Sequence, residues 1–153
     1  MENQPLEIKT VIQILKPIHE VFEAIVDPLK MSVYFLQKSS GRMEEGKQLI
    51  WKFPEFAEEF PIKVKKVEAD KYIAFSWTLD EIELLVEITL TSIKKDTLVT
   101  VTEKNRNNDE SGISWLKGNT EGWANFLACL KAYLEYGINL RKGAFDYMKD
   151  AID

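Results

Sequence analysis

The sequence predicts an α+β fold: a curved antiparallel sheet of about six or seven strands wrapped around one long C-terminal helix, with two short helices after the first strand. Three observations carry this. From Gln48 to Glu103, short runs of alternating apolar and polar residues are separated by turn residues, the pattern of half-buried strands joined by hairpins. A run of the same kind, Leu6 to Ile14, is cut off from the others by a stretch with helical spacing. From Trp115 to Gly137 the apolar period lengthens to that of a helix of about six turns. Strands grouped together, with helices segregated to one side, define α+β rather than an alternating α/β arrangement.

The elements follow in chain order. Leu6, Ile8, Thr10, Ile12 and Ile14 alternate with Glu7, Lys9, Val11 and Gln13, giving a first strand with one buried face. Pro17 suits a first helical position, and Val21, Phe22 and Ile25 supply the apolar side of the helix after it. Asp27-Pro28 ends that helix and caps a second through Leu29 and Met31. The next strand spans about Gln48 to Phe53, with Leu49, Trp51 and Phe53 on one side. Phe60 to Val67 carries Ile62 and Val64, and its alternation breaks at Lys65-Lys66, where a bulge fits. Turns at Ala69-Asp70-Lys71, Leu79-Asp80-Glu81 and Lys94-Lys95-Asp96 separate Tyr72–Trp77, Ile82–Leu90 and Thr97–Glu103. Short turns between neighbours make the sheet an antiparallel meander. A polar loop, Asn105 to Gly112, leads into the long helix. There Trp115, Asn119, Gly122, Trp123, Phe126, Leu127, Leu130, Tyr133, Leu134 and Gly137 share one face, opposite Lys117, Glu121, Asn125, Ala128, Ala132 and Glu135.

Composition narrows the function classes. The 153 residues suit a single domain over 1–153, and 45% hydrophobic with 29% charged residues suits a packed core. A net charge of −5 with both signs interleaved argues against a nucleic-acid or anionic-membrane surface. No apolar run reaches membrane-spanning length, and Met1 to Glu7 has neither the basic nor the apolar region of a secretory signal. With the single Cys129 unable to form an internal disulfide, a reducing cytoplasm is the expected location.

Several blocks carry a family resemblance. Lys16-Pro-Ile-His-Glu-Val-Phe-Glu-Ala-Ile-Val-Asp-Pro28 with Met31-Ser-Val-Tyr-Phe35 resembles the opening of the START-like, helix-grip superfamily, which includes the Bet v 1-like plant proteins and polyketide cyclases. Gly41 to Gly46 with Trp51-Lys-Phe53, and Val67 to Trp77, resemble the following blocks. Thr120-Glu-Gly-Trp-Ala-Asn-Phe-Leu-Ala-Cys-Leu-Lys-Ala-Tyr-Leu-Glu135 resembles the closing helix of the subfamily named for activators of the heat-shock protein 90 ATPase. The resemblance covers nearly the whole chain. It implies a pocket between sheet and helix that admits small hydrophobic molecules, and it does not imply one activity. The eukaryotic chaperone activators carry an additional N-terminal domain that helps bind the chaperone, whereas this sequence opens at the first strand. A chaperone partner, with a stress-related role, is therefore a weaker implication than the pocket.

The residues themselves offer little catalytic chemistry. One Cys and one His do not make a zinc site, and His19, early in the first helix, reads as a surface residue. Cys129 has no activating neighbour in sequence and reads as a small packing residue. Gly41-x-x-x-x-Gly46 is followed by Lys47-Gln48 rather than Lys-Ser or Lys-Thr, so it is not a phosphate loop. No cofactor and no metal is expected.

The aromatic residues are the stronger signal. Trp51, Phe53, Phe75 and Trp77 lie on the inward sides of neighbouring strands, Trp123 and Phe126 face them from the helix, and Tyr34 and Phe35 follow the short helices. They suit either an ordinary core or the wall of an apolar pocket. Two polar residues share that interior. Asn119 lies on the apolar helix face, and Glu103 continues the parity of Val99 and Val101. A buried amide or carboxylate needs partners, so the two bond to each other or to backbone, or orient a ligand. The acidic run Glu55 to Glu59 reads as a solvated rim, with Phe56 as a candidate lid. The expected function is the binding of a small hydrophobic molecule, a lipid or aromatic metabolite. A cyclase- or hydratase-type enzyme using Glu103 or Asn119 and a chaperone-linked interaction module are the alternatives, and a homodimer through a sheet edge is a further expectation.

Overall fold

The computed structural model of the protein describes residues 4–150. Residues 1–3 and 151–153, the ends of the expected domain, lie outside the described residues, as does the opening of the segment inspected for a signal. Seven strands form one antiparallel sheet in the order β1-β7-β6-β5-β4-β3-β2. They are β1 (Leu6–Ile14), β2 (Lys38–Ser39), β3 (Gln48–Lys52), β4 (Glu59–Glu68), β5 (Tyr72–Leu79), β6 (Ile82–Ile93) and β7 (Asp96–Arg106). Helices α1 (Ile18–Val26) and α2 (Pro28–Tyr34) follow β1, α3 (Glu110–Tyr136) follows the sheet, and a single turn, α4 (Tyr147–Asp150), ends the described chain. No described helix is long and apolar enough to cross a membrane.

Local chemistry accounts for the boundaries. The Asp27 side chain accepts from Leu29 N at 2.9 Å and caps α2, with Pro28 in its first turn. Pro17 stands one residue earlier than expected, as the cap of α1 with extended backbone. The loop before α3 is also shorter than expected. β7 runs on to Arg106, and Asp109 caps α3 by accepting from Gly112 N at 2.7 Å. Only glycine fits at position 112, since an added Cβ would lie 2.0 Å from Asn107 O. At the other end Gly137 has φ 66° and donates to Ala132 O and Tyr133 O. It is a left-handed helix stop rather than a gap in the apolar face.

Two bulges reset which side chains face inward. Register shifts between Val64 and Lys66, where the sequence predicts it, so that Val67 returns to the half-buried side. A second bulge at Asn105, φ 97°, follows a shift between Leu6 and Glu7 in the pairing of β1 with β7. It turns Arg106 inward where unbroken alternation would have placed Asn105. The concave face then buries Ile8, Val64, Phe75, Val86, Val99 and Val101 against Phe126, Leu127 and Leu130 of α3. Each such side chain contributes roughly 1.5–3 kcal/mol. Polar ties fix the helix beside β1: Lys131 Nζ donates to Gln13 O at 2.8 Å, and Leu15 N donates to Glu135 at 2.8 Å. Glu135 is thus held in a nearly buried ion pair with Lys131 rather than on a solvated face.

The β5–β6 hairpin is a two-residue turn in which Asp80 and Glu81 have φ of 52° and 65°. Both central residues occupy the left-handed region that glycine enters without penalty. Glu81→Gly should therefore raise stability by about 0.5–1 kcal/mol, read as a higher urea midpoint at unchanged slope.

Candidate functional site

Glu103 is fully buried at the inward side of β7. Its Oε2 accepts from Trp77 Nε1 of β5 at 2.8 Å, and its Oε1 accepts from Trp123 Nε1 at 2.9 Å and Asn119 Nδ2 at 3.1 Å, both of α3. Of the alternatives the sequence left open for Asn119 and Glu103, the direct bond between them is present, and the two indoles complete it. All three partners are N–H donors, which matches a carboxylate that only accepts. Among the described residues no Lys or Arg pairs with it. The sequence pattern placed both tryptophans on the right faces but gave no sign that their N–H groups converge on one acid.

Beside this cluster, α3 and the sheet part to leave a half-open cavity of about 390 Å³, within the range of small-molecule sites. Phe35, Phe53, Phe60, Trp77 and Trp123 supply its apolar wall, with Phe56, which is 39% exposed, at its edge. Asn119 stands between this cavity and a polar depression lined by Asp80, Ser111 and Ser114. Gly118 and Gly122, one helical turn apart, leave open space where side chains would otherwise project, since an added Cβ at either meets nothing within 4 Å.

The remaining candidates lie behind that wall. Trp51 and Phe75 pack 5.1 Å apart, centroid to centroid, and Phe126 lies 4.7 Å from Phe35. Tyr34 stacks on Tyr133 at 5.3 Å and donates to Ala24 O at 2.9 Å, and burial pushes its hydroxyl well above the usual range. The structure therefore brings Phe35, Phe53, Phe56, Trp77, Asn119 and Trp123 to the cavity. Tyr34, Trp51, Phe75, Phe126 and Glu103 form the layer that holds them. Of the side groups judged unreactive, His19 is 70% exposed and pairs with Asp70, and burial pushes the Cys129 thiol up, away from the thiolate form a nucleophile needs.

One expectation is corrected. Glu55 is not part of a solvated rim: it is buried and forms an ion pair with Arg141. Arg141 belongs to the segment after Gly137, which turns back over the cavity. Its guanidinium lies 4.8 Å from the Phe145 ring, 5.5 Å from Phe35 and 5.6 Å from Phe53. Phe145, Tyr147 and Met148 complete this roof. The signal was present in the sequence: an arginine among aromatic residues just beyond a helix-stop glycine, and an acid beside Phe53 and Phe56.

The geometry is that of the helix-grip class, a curved sheet closed on a long helix with a cavity between them. The chain belongs to the family described as activator of Hsp90 ATPase homolog 1-like protein, whose pattern matches residues 16–135. Among solved structures, the protein SSP2350 from Staphylococcus saprophyticus is 35% identical, with a TM-score of 0.77 over 89% of this chain and 96% of that one. DynU16, from the dynemicin biosynthetic locus, is 27% identical with a TM-score of 0.78, over 87% of this chain and 48% of its own. The Aha1 dimer from Colwellia psychrerythraea shares the fold at 19% identity, with a TM-score of 0.73 over 86% of this chain and 98% of that one. No curated protein matches the chain.

Two predictions follow the geometry. Trp123→Phe removes a donor from a buried acid and should cost about 1–3 kcal/mol for the unsatisfied bond, whereas the Trp51 indole N–H has no partner to lose. Urea titration of Trp51→Phe and Trp123→Phe should place the second clearly lower. Arg141→Ala should undock the terminal segment while leaving the core intact. Chymotryptic cleavage at Phe145 and Tyr147 would then rise about tenfold for each ~1.4 kcal/mol of docking lost, with little change in the global urea midpoint.

Proposed function

We propose that this protein binds a small, largely apolar molecule in the cavity between the sheet and α3. The observation that carries the reading is the space itself: an aromatic-walled cavity of about 390 Å³ bordered by two mid-helix glycines with open space above them. A glycine in a helix interior costs about 1 kcal/mol relative to alanine. Neither Gly118 nor Gly122 is demanded by close packing or positive φ, so leaving the wall bare has a structural cost that no internal contact offsets. The presence of a biosynthetic-locus protein among the similar structures is in keeping with a small-molecule ligand. The reading is binding rather than turnover, because both buried acids at the site are already engaged, Glu103 by three N–H donors and Glu55 by Arg141.

The test uses 2-methylnaphthalene, followed by the indole N–H resonances of Trp77 and Trp123. Saturable shifts of both are expected in the native protein. Gly122→Leu should fold at least as stably, gaining up to ~1 kcal/mol from helix propensity, and should weaken binding at least tenfold by filling the wall. The absence of saturable shifts in the native protein, or undiminished binding by Gly122→Leu, would refute the cavity as the site.

A further inference from the structure

We infer that the cavity selects an aromatic molecule bearing a hydroxyl group, and that Asn119 Oδ1 is the atom that reads it. This inference rests on the proposed binding role of the cavity and specifies the ligand class. Three observations support it. First, Asn119 is oriented: its Nδ2 donates to Glu103 Oε1 at 3.1 Å, and Glu103 is in turn held by Trp77 and Trp123. An amide whose NH₂ is committed to a carboxylate presents its carbonyl oxygen, a pure acceptor, to whatever lies on its other side. Second, that oxygen is unclaimed. Among the described residues no group donates to Asn119 Oδ1, and it is not fully buried as the partnerless indole N–H of Trp51 is, on a residue that lines the cavity. Third, the surroundings suit a flat ring. Asn119 lies between Gly118 and Gly122 on the helix, where no side chain obstructs approach to the backbone, and Trp77 and Trp123 flank it.

The other polar groups of the cavity are less suited to reading a donor. Glu55 and Arg141 satisfy each other across the roof. Glu121 and Asn125 also line the cavity, and among the described residues neither is held by a side-chain hydrogen bond or ion pair. Among the described residues that line the cavity, Asn119 combines a fixed orientation with a free acceptor. A ligand hydroxyl placed on it stays hydrogen-bonded on leaving water. A ligand with a methyl group there leaves Oδ1 without a partner, and this asymmetry is the basis of discrimination between isosteres.

The experiment compares 2-naphthol with 2-methylnaphthalene, which differ by hydroxyl against methyl, by equilibrium dialysis against the native protein and Asn119→Leu. In the native protein 2-naphthol should bind about tenfold more tightly than its methyl isostere. In Asn119→Leu that preference should vanish, chiefly through weaker binding of 2-naphthol. Because Asn119→Leu also withdraws a donor from Glu103, the native protein alone gives an independent decision. Equal affinity for both compounds there overturns the hydroxyl reading and leaves the cavity reading standing. Binding of neither compound refutes the cavity reading, and this inference with it. A preference that survives in a folded Asn119→Leu overturns Asn119 as the reader.

Discussion

The fold depends on satisfying one buried acid. Glu103 enters the interior because strand parity leaves it no other side: Val99, Val101 and Glu103 fall on the same face of β7. A carboxylate there without partners would cost several kcal/mol, so the surrounding structure has to supply donors, and it does so from two directions. Trp77 comes from β5, two strands away across the sheet, and Trp123 and Asn119 come from successive turns of α3. Apolar packing is non-directional and would tolerate a helix that slid or rotated by part of a turn. Hydrogen bonds of 2.8–3.1 Å to fixed indole and amide groups do not. The acid therefore sets the height and rotation of α3 on the sheet.

That rotation also determines where the cavity lies. With Asn119 and Trp123 turned to Glu103, Gly118 and Gly122 necessarily border the gap between helix and sheet, because they occupy adjacent positions on the same turns. The core aromatics fill the remainder. Trp51, Phe75 and Phe126 pack behind Phe35 and Trp77 in edge-on contacts that hold each ring at a defined angle. The cavity thus lies where a polar constraint sets the helix and where two exposed glycines leave its edge bare.

How much of this was legible follows from which physical signals are local. Strand alternation, the helix period, the Asp27-Pro28 cap and the bulge at Lys65-Lys66 each depend on residues within a few positions, and the structure has them where the sequence predicts them. The inward direction of Glu103 and Asn119 was readable by parity and helical angle. The second bulge was not, because nothing in Lys104-Asn105-Arg106 breaks an apolar alternation; it is visible only from the pairing with β1. The division of the aromatics between cavity wall and core also escaped the sequence. Trp51 of β3 and Trp77 of β5 face the same side of the sheet and are indistinguishable until α3 is docked. Glu55 was misread because a run of acids usually indicates solvent, and its cation lies 86 residues away in a segment with no periodic pattern.

The two sides of the cavity differ in what holds them. The inner wall is tied to the sheet through Glu103, and loosening it exposes a buried acid together with the core around it. The roof is held by a single ion pair, Glu55 with Arg141, and by aromatic rings against the guanidinium. Such pairs gain Coulombic energy but lose the hydration of both ions, and the net is small compared with the gross terms. Undocking the roof rehydrates both ions at once and leaves every hydrogen bond of the Glu103 cluster intact. The free energy of opening is therefore set by the contacts of residues 138–150 alone and is well below that of global unfolding. Under the proposed binding role, a molecule entering the cavity would displace the roof while the wall stays in place, so access and selectivity would fall to different parts of the chain.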